Sequence, residues 1–450
     1  MASGGFLRVP RVRVLWGNIN LSAYDGDQDF PAGTPLVYDV QVDLNAENEA
    51  PTASMKWDPT GKGFGVYEWF ISKPEYMETQ ITIEYFYPRG KKVVFVFVWS
   101  GQTINYGNDM TVTVNMVSEL AGLISGNIRS TAQAYDEKKG AKPEDMIKKL
   151  QKQFGLEKFS KLVQYNKGTL EYWKKVKILS QYGNDWTFGN AVAALIKQTG
   201  DQAFPINISQ ASVVVMPPFS WVGEDKKQET VEEASVSSPT TPDPTIRYGY
   251  ILGPSIIDSV SRSVTWSPPQ QSNENSPNNQ VFATDPQKAK QNRSNPPIAP
   301  SVAAANQKTA AKPTSSPQGT SGQRATLSVR SKENPNGPDR QNAQNQEKNA
   351  KLTFSAFMCP LLVGIKPHDI LYIPSLSGQF IEDWIVQSVG YAAQNGSVEI
   401  SIQATRILGF GTPMNEKAAE KFKASAQAQG LIGPGATLEA WDRYAWGLPS

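Results

Sequence analysis

The chain has 450 residues, enough for two to four domains at roughly 100–200 residues each. Its composition, 39% hydrophobic and 10% aromatic with eleven Trp, supports real cores, and a formal net charge of +2 gives no global attraction to nucleic acid or membranes. A single Cys (Cys359) excludes an internal disulfide framework and a cysteine-rich metal site, and a single His (His368) removes most hydrolytic triads and histidine metal clusters.

The start, MASGGFLRVPRVRV, has no charged stretch followed by an apolar core, so no signal peptide is expected. The longest apolar run, VVFVFVW from Val93 to Trp99, is seven residues, against the roughly 20 that a spanning helix needs. The expectation is a soluble protein of a reducing compartment, without a membrane span.

From Val9 to Val117 the pattern reads as β. TQITIEYFYP alternates Ile81, Ile83, Tyr85 and Tyr87 against Gln80, Thr82 and Glu84, and PRGKKVVFVFVWSG completes a hairpin with it. MTVTVNMV is a further alternating strand. Within this region YDGDQDFPAG sets Asp25, Asp27 and Asp29 at alternate positions, as a calcium loop begins. Phe30 and Leu36 stand where that loop needs Gly and Glu, so a solvated turn is the better reading. TGKGFG (Thr60 to Gly65) lacks the spacing and the Ser/Thr of a phosphate loop and reads as a hairpin tip.

At Ser118 the period becomes helical. SELAGLISGNI puts Leu120, Leu123, Ile124 and Ile128 on one stripe. KPEDMIKKLQKQFG opens with Pro143 and two acids, turns Met146, Ile147, Leu150 and Phe154 inward, and stops at Gly155. NDWTFGNAVAALIKQTGD gives another helix, with Phe188, Val192, Leu195, Ile196 and Thr199 at helical spacing, before INISQASVVVMPP returns to strand. The basic aromatic stretch from 162 to 183 reads as a lysine face over a core of Tyr, Trp and Leu, with a nucleic-acid or glycan surface as the sharper alternative.

TIRYGYILGPSIIDSVSRSVTW is β-like again. From Ser267 to Ala350 there are eleven prolines, one aromatic (Phe282), and ten Lys/Arg against five Asp/Glu, a composition that cannot bury enough apolar surface to fold alone. β-Structure resumes at Leu352. WIVQSVGYAAQNGSVEISIQATRIL is a hairpin about Asn395-Gly396, with Val398, Ile400, Ile402 and Ala404 alternating. NEKAAEKFKASAQAQG is a weakly amphipathic short helix. The final residues carry Leu438, Trp441, Tyr444 and Trp446, either interface anchors or a cover for their own domain.

Few residues carry the makings of catalysis. His368 and Asp369 in IKPHDIL are neighbours, and neighbours on a strand face opposite ways, so a turn histidine is the reading. Cys359 in FMCPLLV reads as a small buried hydrophobe. Glu382 and Asp383 are adjacent in sequence, which does not set two carboxylates about 5–10 Å apart across a cleft. No catalytic, cofactor-binding or metal residues are assigned.

The order of these segments resembles the baseplate hub proteins of contractile-tailed phages, the late-control-D-like hub family with relatives in secretion-system spikes. The carriers are SELAGLISGNI, PEDMIKKLQKQFG, FGNAVAALIKQTGD and RYGYILGPSIIDSVS, then LLVGIKPHDILYIP and FIEDWIVQSVGYAAQNGSVEISIQATRI, over about residues 9 to 412 outside the Pro-rich segment. The resemblance implies a mainly β fold with an α/β middle module and two tail-tube-like β-barrel domains. The expected division is 1–117, the first tube-like domain; 118–222, the middle module; 223–245, a linker; and 246–266 with 351–412, the second tube-like domain. Residues 267–350 would be a Pro-rich extended arm inserted in that domain, and 413–450 a helix with an aromatic tail.

It further implies a structural, non-enzymatic homotrimer in the virion baseplate. Six tube-like domains would meet the tail tube on one face and the central spike on the other, with the arm reaching wedge or neighbouring tail proteins. Related turns often carry Gly-Asp where this chain has His368-Asp369. Two other classes stand beside the hub: a tail-associated peptidoglycan-binding protein or hydrolase, and a hexameric tube initiator.

Overall fold

The computed structural model describes residues 11–22, 35–46, 50–58, 62–86, 92–106, 110–121, 133–134, 141–176, 178–182, 187–219, 231–234, 242–252, 257–264, 326–329, 350–357, 361–374, 380–394, 397–406 and 412–413, with Glu420 and Ala424. The calcium-like stretch 24–33, Cys359, the Asn395-Gly396 turn, the rest of the predicted helix after Asn415, and Leu438, Trp441, Tyr444 and Trp446 lie outside them.

The protein is mainly β with an α/β middle module. Six strands come first: β1 (Arg11–Trp16), β2 (Val37–Asn45), β3 (Thr52–Trp57), β4 (Ile81–Phe86), β5 (Lys92–Asn105) and β6 (Thr111–Val117). They pair in the order β1-β4-β5-β6-β3-β2, each pair antiparallel. The alternation that predicts them is the burial pattern itself. Ile81, Ile83 and Tyr85 are buried on one face of β4, as are Val93, Phe95 and Phe97 on β5.

Helices α1 (Lys62–Ile71) and α2 (Pro74–Met77) interrupt this β region, so TGKGFG leads into a helix and is not a hairpin tip. The glycines suggested a turn, but the aromatics that follow decide the outcome. Tyr67 and Phe70, three residues apart, are fully buried, and Phe70 stacks on Trp16 at 4.9 Å and meets Trp57 at 5.9 Å. Each such ring contributes roughly 1.5–3 kcal/mol by leaving water, more than the helix glycines cost.

The middle module has its own core. Helix α3 (Pro143–Gln153) buries Met146, Ile147 and Leu150, and Gly155 ends it at φ +70°. Helix α4 (Lys167–Trp173) is capped by Asn166, whose Oδ1 accepts from Gly168 N at 2.7 Å, and α5 (Phe188–Thr199) buries Phe188, Val192, Leu195 and Ile196. These lie on a sheet of β7 (Val163–Tyr165), β8 (Gln202–Ile206) and β9 (Ser212–Met216). Thr326–Val329 of the Pro-rich segment pairs with Ile178–Tyr182, and Glu232–Glu233 of the predicted linker pairs with Tyr248–Gly249.

The last six long strands are β10 (Tyr248–Ile251), β11 (Ile257–Val264), β12 (Ala350–Phe357), β13 (Ile370–Pro374), β14 (Phe380–Gln394) and β15 (Ser397–Arg406). Their spatial order is β10-β13-β14-β15-β12-β11, the first set repeated in both chain order and neighbour order. The one inversion is that β10 runs parallel to β13 where β1 runs antiparallel to β4. The long middle strands match in detail. A bulge interrupts β5 between Trp99 and Gly101 and β14 between Val386 and Ser388, and each strand changes partners there.

Two closed barrels were expected, but the described strands of both sets form one open, branched sheet. The cause is β2, which pairs with β14 through Val40–Asn45 against Ser388–Ala393. A single buried core then runs beneath both sets.

Candidate functional site

The long strand β14 organises the molecule because its edge is used end to end. Ile381–Ile385 pair with β13. At Val386 the turn before β13 takes over, with His368 N donating to Val386 O at 2.8 Å and Val386 N donating to Asp369 O at 2.9 Å. Ala46 N then donates to Gln387 O at 2.6 Å, and β2 occupies the remainder.

Beneath this edge lies a buried polar knot. Lys366 and Asp369 are fully buried, with Nζ to Oδ1 at 2.5 Å, and Nζ also donates to Ile246 O at 2.7 Å. Asp369 accepts from Tyr248 N at 3.1 Å and Lys366 N at 3.0 Å. Burial raises the Asp369 pKa and lowers that of Lys366, each shift opposed by the partner's charge. Arg247, equally buried, donates to His368 O at 3.1 Å and Pro217 O at 2.7 Å and lies over Phe219. One guanidinium therefore ties the end of the middle module to the turn before β13.

His368 occupies that turn at φ +68°, the left-handed region that favours glycine, and its ring packs on Phe204 of β8 at 4.4 Å. The resemblance marked this position by its usual Gly-Asp step. On the other side of the joint Tyr85 O–H donates to Val40 O at 3.1 Å and to Tyr391 O at 3.3 Å, while Tyr391 O–H donates to Ile365 O at 2.7 Å. Burial pushes both phenols well above their usual range.

The opposite face of the joined sheet is polar and small. Register puts Thr52, Asp43, Gly390, Ser401 and Ser355 in one row across five strands, with Asn45, Ser388, Gln403, Thr353 and Ser261 in the next. Both rows cross the β2–β14 joint unbroken. At Gly390 a Cβ would stand 2.5 Å from Ser401 Oγ and 3.1 Å from Asp43 Oδ1, so this strand position is full without a side chain.

Glu382 and Asp383 point to opposite faces of β14. Glu382 pairs with Arg406 at 3.0 Å and accepts from Trp384 Nε1 at 2.9 Å. Asp383 is pushed up to about 6 by burial, partly offset by Arg406. In the 162–183 stretch Trp173 is buried and donates to Asp201 Oδ2 at 2.6 Å, while Lys167, Lys174 and Lys175 are exposed, the arrangement of a lysine face over a core. Among the described residues no three His, Cys, Asp or Glu side chains are grouped to hold a metal ion, and no helix is long and apolar enough to cross a membrane. Lys366 and Arg247 escaped sequence reasoning, because partners about 120 residues apart leave no periodic signal.

No protein-family model and no curated protein matches this sequence. Among solved structures the chain is similar to the 43 kDa tail protein of prophage MuSo2 from Shewanella oneidensis, at 11% identity and a TM-score of 0.46, over 88% of this chain and 98% of that one. It is similar to a tail protein from Neisseria meningitidis at 9% identity and a TM-score of 0.46, over 88% and 97%. A component of the type VI secretion system from E. coli is similar at 9% identity and a TM-score of 0.41, over 84% and 76%.

Proposed function

We propose that this chain is the hub of a contractile phage tail baseplate, a structural homotrimer without catalysis of its own. The observation that carries the reading is the repeat: one chain holds two six-strand sets joined in a single sheet. Three copies then supply six equivalent sets, so one ring can meet a sixfold tube on one side and a threefold spike on the other. The middle module packs on the apolar side of the sheet, through Phe204, Ile206 and Val214, and leaves the hydroxyl-rich face to line a central passage. Residues 267–350 would reach neighbouring tail or baseplate proteins, their positive charge favouring acidic surfaces.

Light scattering across a concentration series tests the trimer. A species of three times the 49.4 kDa chain is expected. Six chains would support the tube-initiator reading, and a monomer that clears purified cell walls would support the hydrolase. Removing residues 270–348 should keep the trimer and weaken its attachment; unchanged particle stability would overturn the role given to the arm.

A further inference from the structure

The Pro-rich arm leaves the second set after Val264 and returns at Ala350, and these two residues face each other across β11 and β12. Between Val302 and Leu352 the sequence holds only two large apolar residues, Leu327 and Val329. Both fall in the four residues of the arm that pair with the middle module. Thr326–Val329 runs antiparallel to Ile178–Tyr182, with Tyr182 facing Thr326, Gln181 facing Leu327 and Ser180 facing Ser328. Positions two apart on a strand share a face, so the one apolar alternation in this stretch of the arm coincides with its one described strand. Arg324 and Arg330 bracket it.

We propose that the outer edge of Ile178–Tyr182 is a strand-binding site and that Thr326–Val329 is its ligand, an extended peptide recognised through its backbone and its alternate apolar residues and not through its attachment. The middle module makes the site. Among the described residues the other edge of Ile178–Tyr182 is held by Gln133–Ala134, through Ser180 and Gln181, and Thr326–Val329 also lies against α5. Without the ligand this three-stranded sheet keeps two strands and a bare row of backbone donors and acceptors, the kind of edge to which an added strand binds.

The contact is exchangeable because it is short. Four residues, with a bulge between Ile178 and Ser180, are too few to hold in water as a free pair of strands. The tether keeps them in place: about 20 residues join Val329 to Ala350, which sets an effective concentration on the order of 1 mM. Docked, the strand divides the arm into limbs of about 60 and about 20 residues; displaced by another strand, it leaves one loop of about 85. The state of this one edge therefore sets how far the arm extends. That the longer loop reaches neighbouring tail proteins rests on the hub reading above; the recognition does not.

Two measurements on the full chain carrying Cys359→Ser test this. In the first, Gln181→Cys with Leu327→Cys is expected to form a disulfide on a non-reducing gel, since facing residues in paired strands bring Cβ atoms to about 5 Å. Gln181→Cys with Ser328→Cys, on opposite faces, should form none. In the second, a fluorescent peptide of residues 322–332 is titrated by anisotropy. It should bind the chain carrying Leu327→Asp and Val329→Asp, whose own segment has left the edge, at least tenfold more tightly than the parent, where the tethered segment competes. The same peptide with Leu327→Asp should bind neither. Linking of the facing pair without peptide binding would show a strand held only by its attachment and overturn the proposal, as would equal affinity for the two chains. Light scattering on the same samples reads the hub separately. A three-chain mass without peptide binding would overturn the site and leave the hub standing; peptide binding by a chain that is a monomer at all concentrations would do the reverse.

Discussion

Replacing His368 with glycine is expected to cost the protein less stability than replacing it with alanine, although alanine keeps more of the side chain. Both substitutions remove a buried ring centred 4.4 Å from that of Phe204, a loss of about 2–4 kcal/mol. They differ in the backbone. At φ +68° alanine still bears the roughly 1–2 kcal/mol that a Cβ costs in the left-handed region, and glycine does not. Glycine gives back about 0.5–1 kcal/mol through its greater freedom in the unfolded chain. The net expectation is that His368→Gly exceeds His368→Ala by about 0.5–1 kcal/mol, or roughly 0.5–1 °C in melting temperature for a protein of this size. Thermal unfolding of the three proteins side by side measures it. Alanine equal to or better than glycine would refute the claim that this turn is strained by its Cβ.

Lys366→Met is expected to destabilise by about 3–5 kcal/mol, because it leaves Asp369 charged and buried. Adding Asp369→Asn should recover part of that loss, and a urea titration showing simple additivity would contradict a coupled pair. Gly390→Ala should cost about 1–3 kcal/mol from the 2.5 Å approach to Ser401 Oγ, and Ser401→Ala in the same chain should relieve it. Asp383 titrates at about 6 in the folded chain, above the 3.8 of a free carboxyl, so the folded state holds its proton more tightly. Stability is then lost as pH rises from about 4 to about 6, and Asp383→Asn should be more stable than the parent by up to about 3 kcal/mol at pH 7.5 and equal to it near pH 4. An equal gap at both pH values would argue against a buried carboxylate as the cause.

Much of the fold is legible because one-sided burial writes itself as alternation. Ile81, Ile83 and Tyr85, or Val398, Ile400, Ile402 and Ala404, could not be placed otherwise in a half-buried sheet. Helix α3 is equally plain, with proline and acids at its start and a glycine at its end. Three features left no such trace. The three glycines of TGKGFG point to a turn, and only the packing of Phe70 on Trp16 makes a helix there. Alternation in β2 and β14 shows that each has a core face but not that they are neighbours. In the knot, Lys366 and Arg247 look like surface charges until Asp369 and the carbonyls of Ile246, Pro217 and His368 are folded around them.

The joint between β2 and β14 also orders events in time. Roughly 340 residues separate Asn45 from Ser388, so at about 5–20 residues per second β2 leaves the ribosome some 17–70 s before its partner exists. For that interval its outer backbone groups face other nascent chains from the same messenger, and a neighbour's finished β14 fits them as well as its own. Exchange of β2 between copies is thus the characteristic error of this architecture, one that rises with the density of ribosomes and not with the instability of the finished protein.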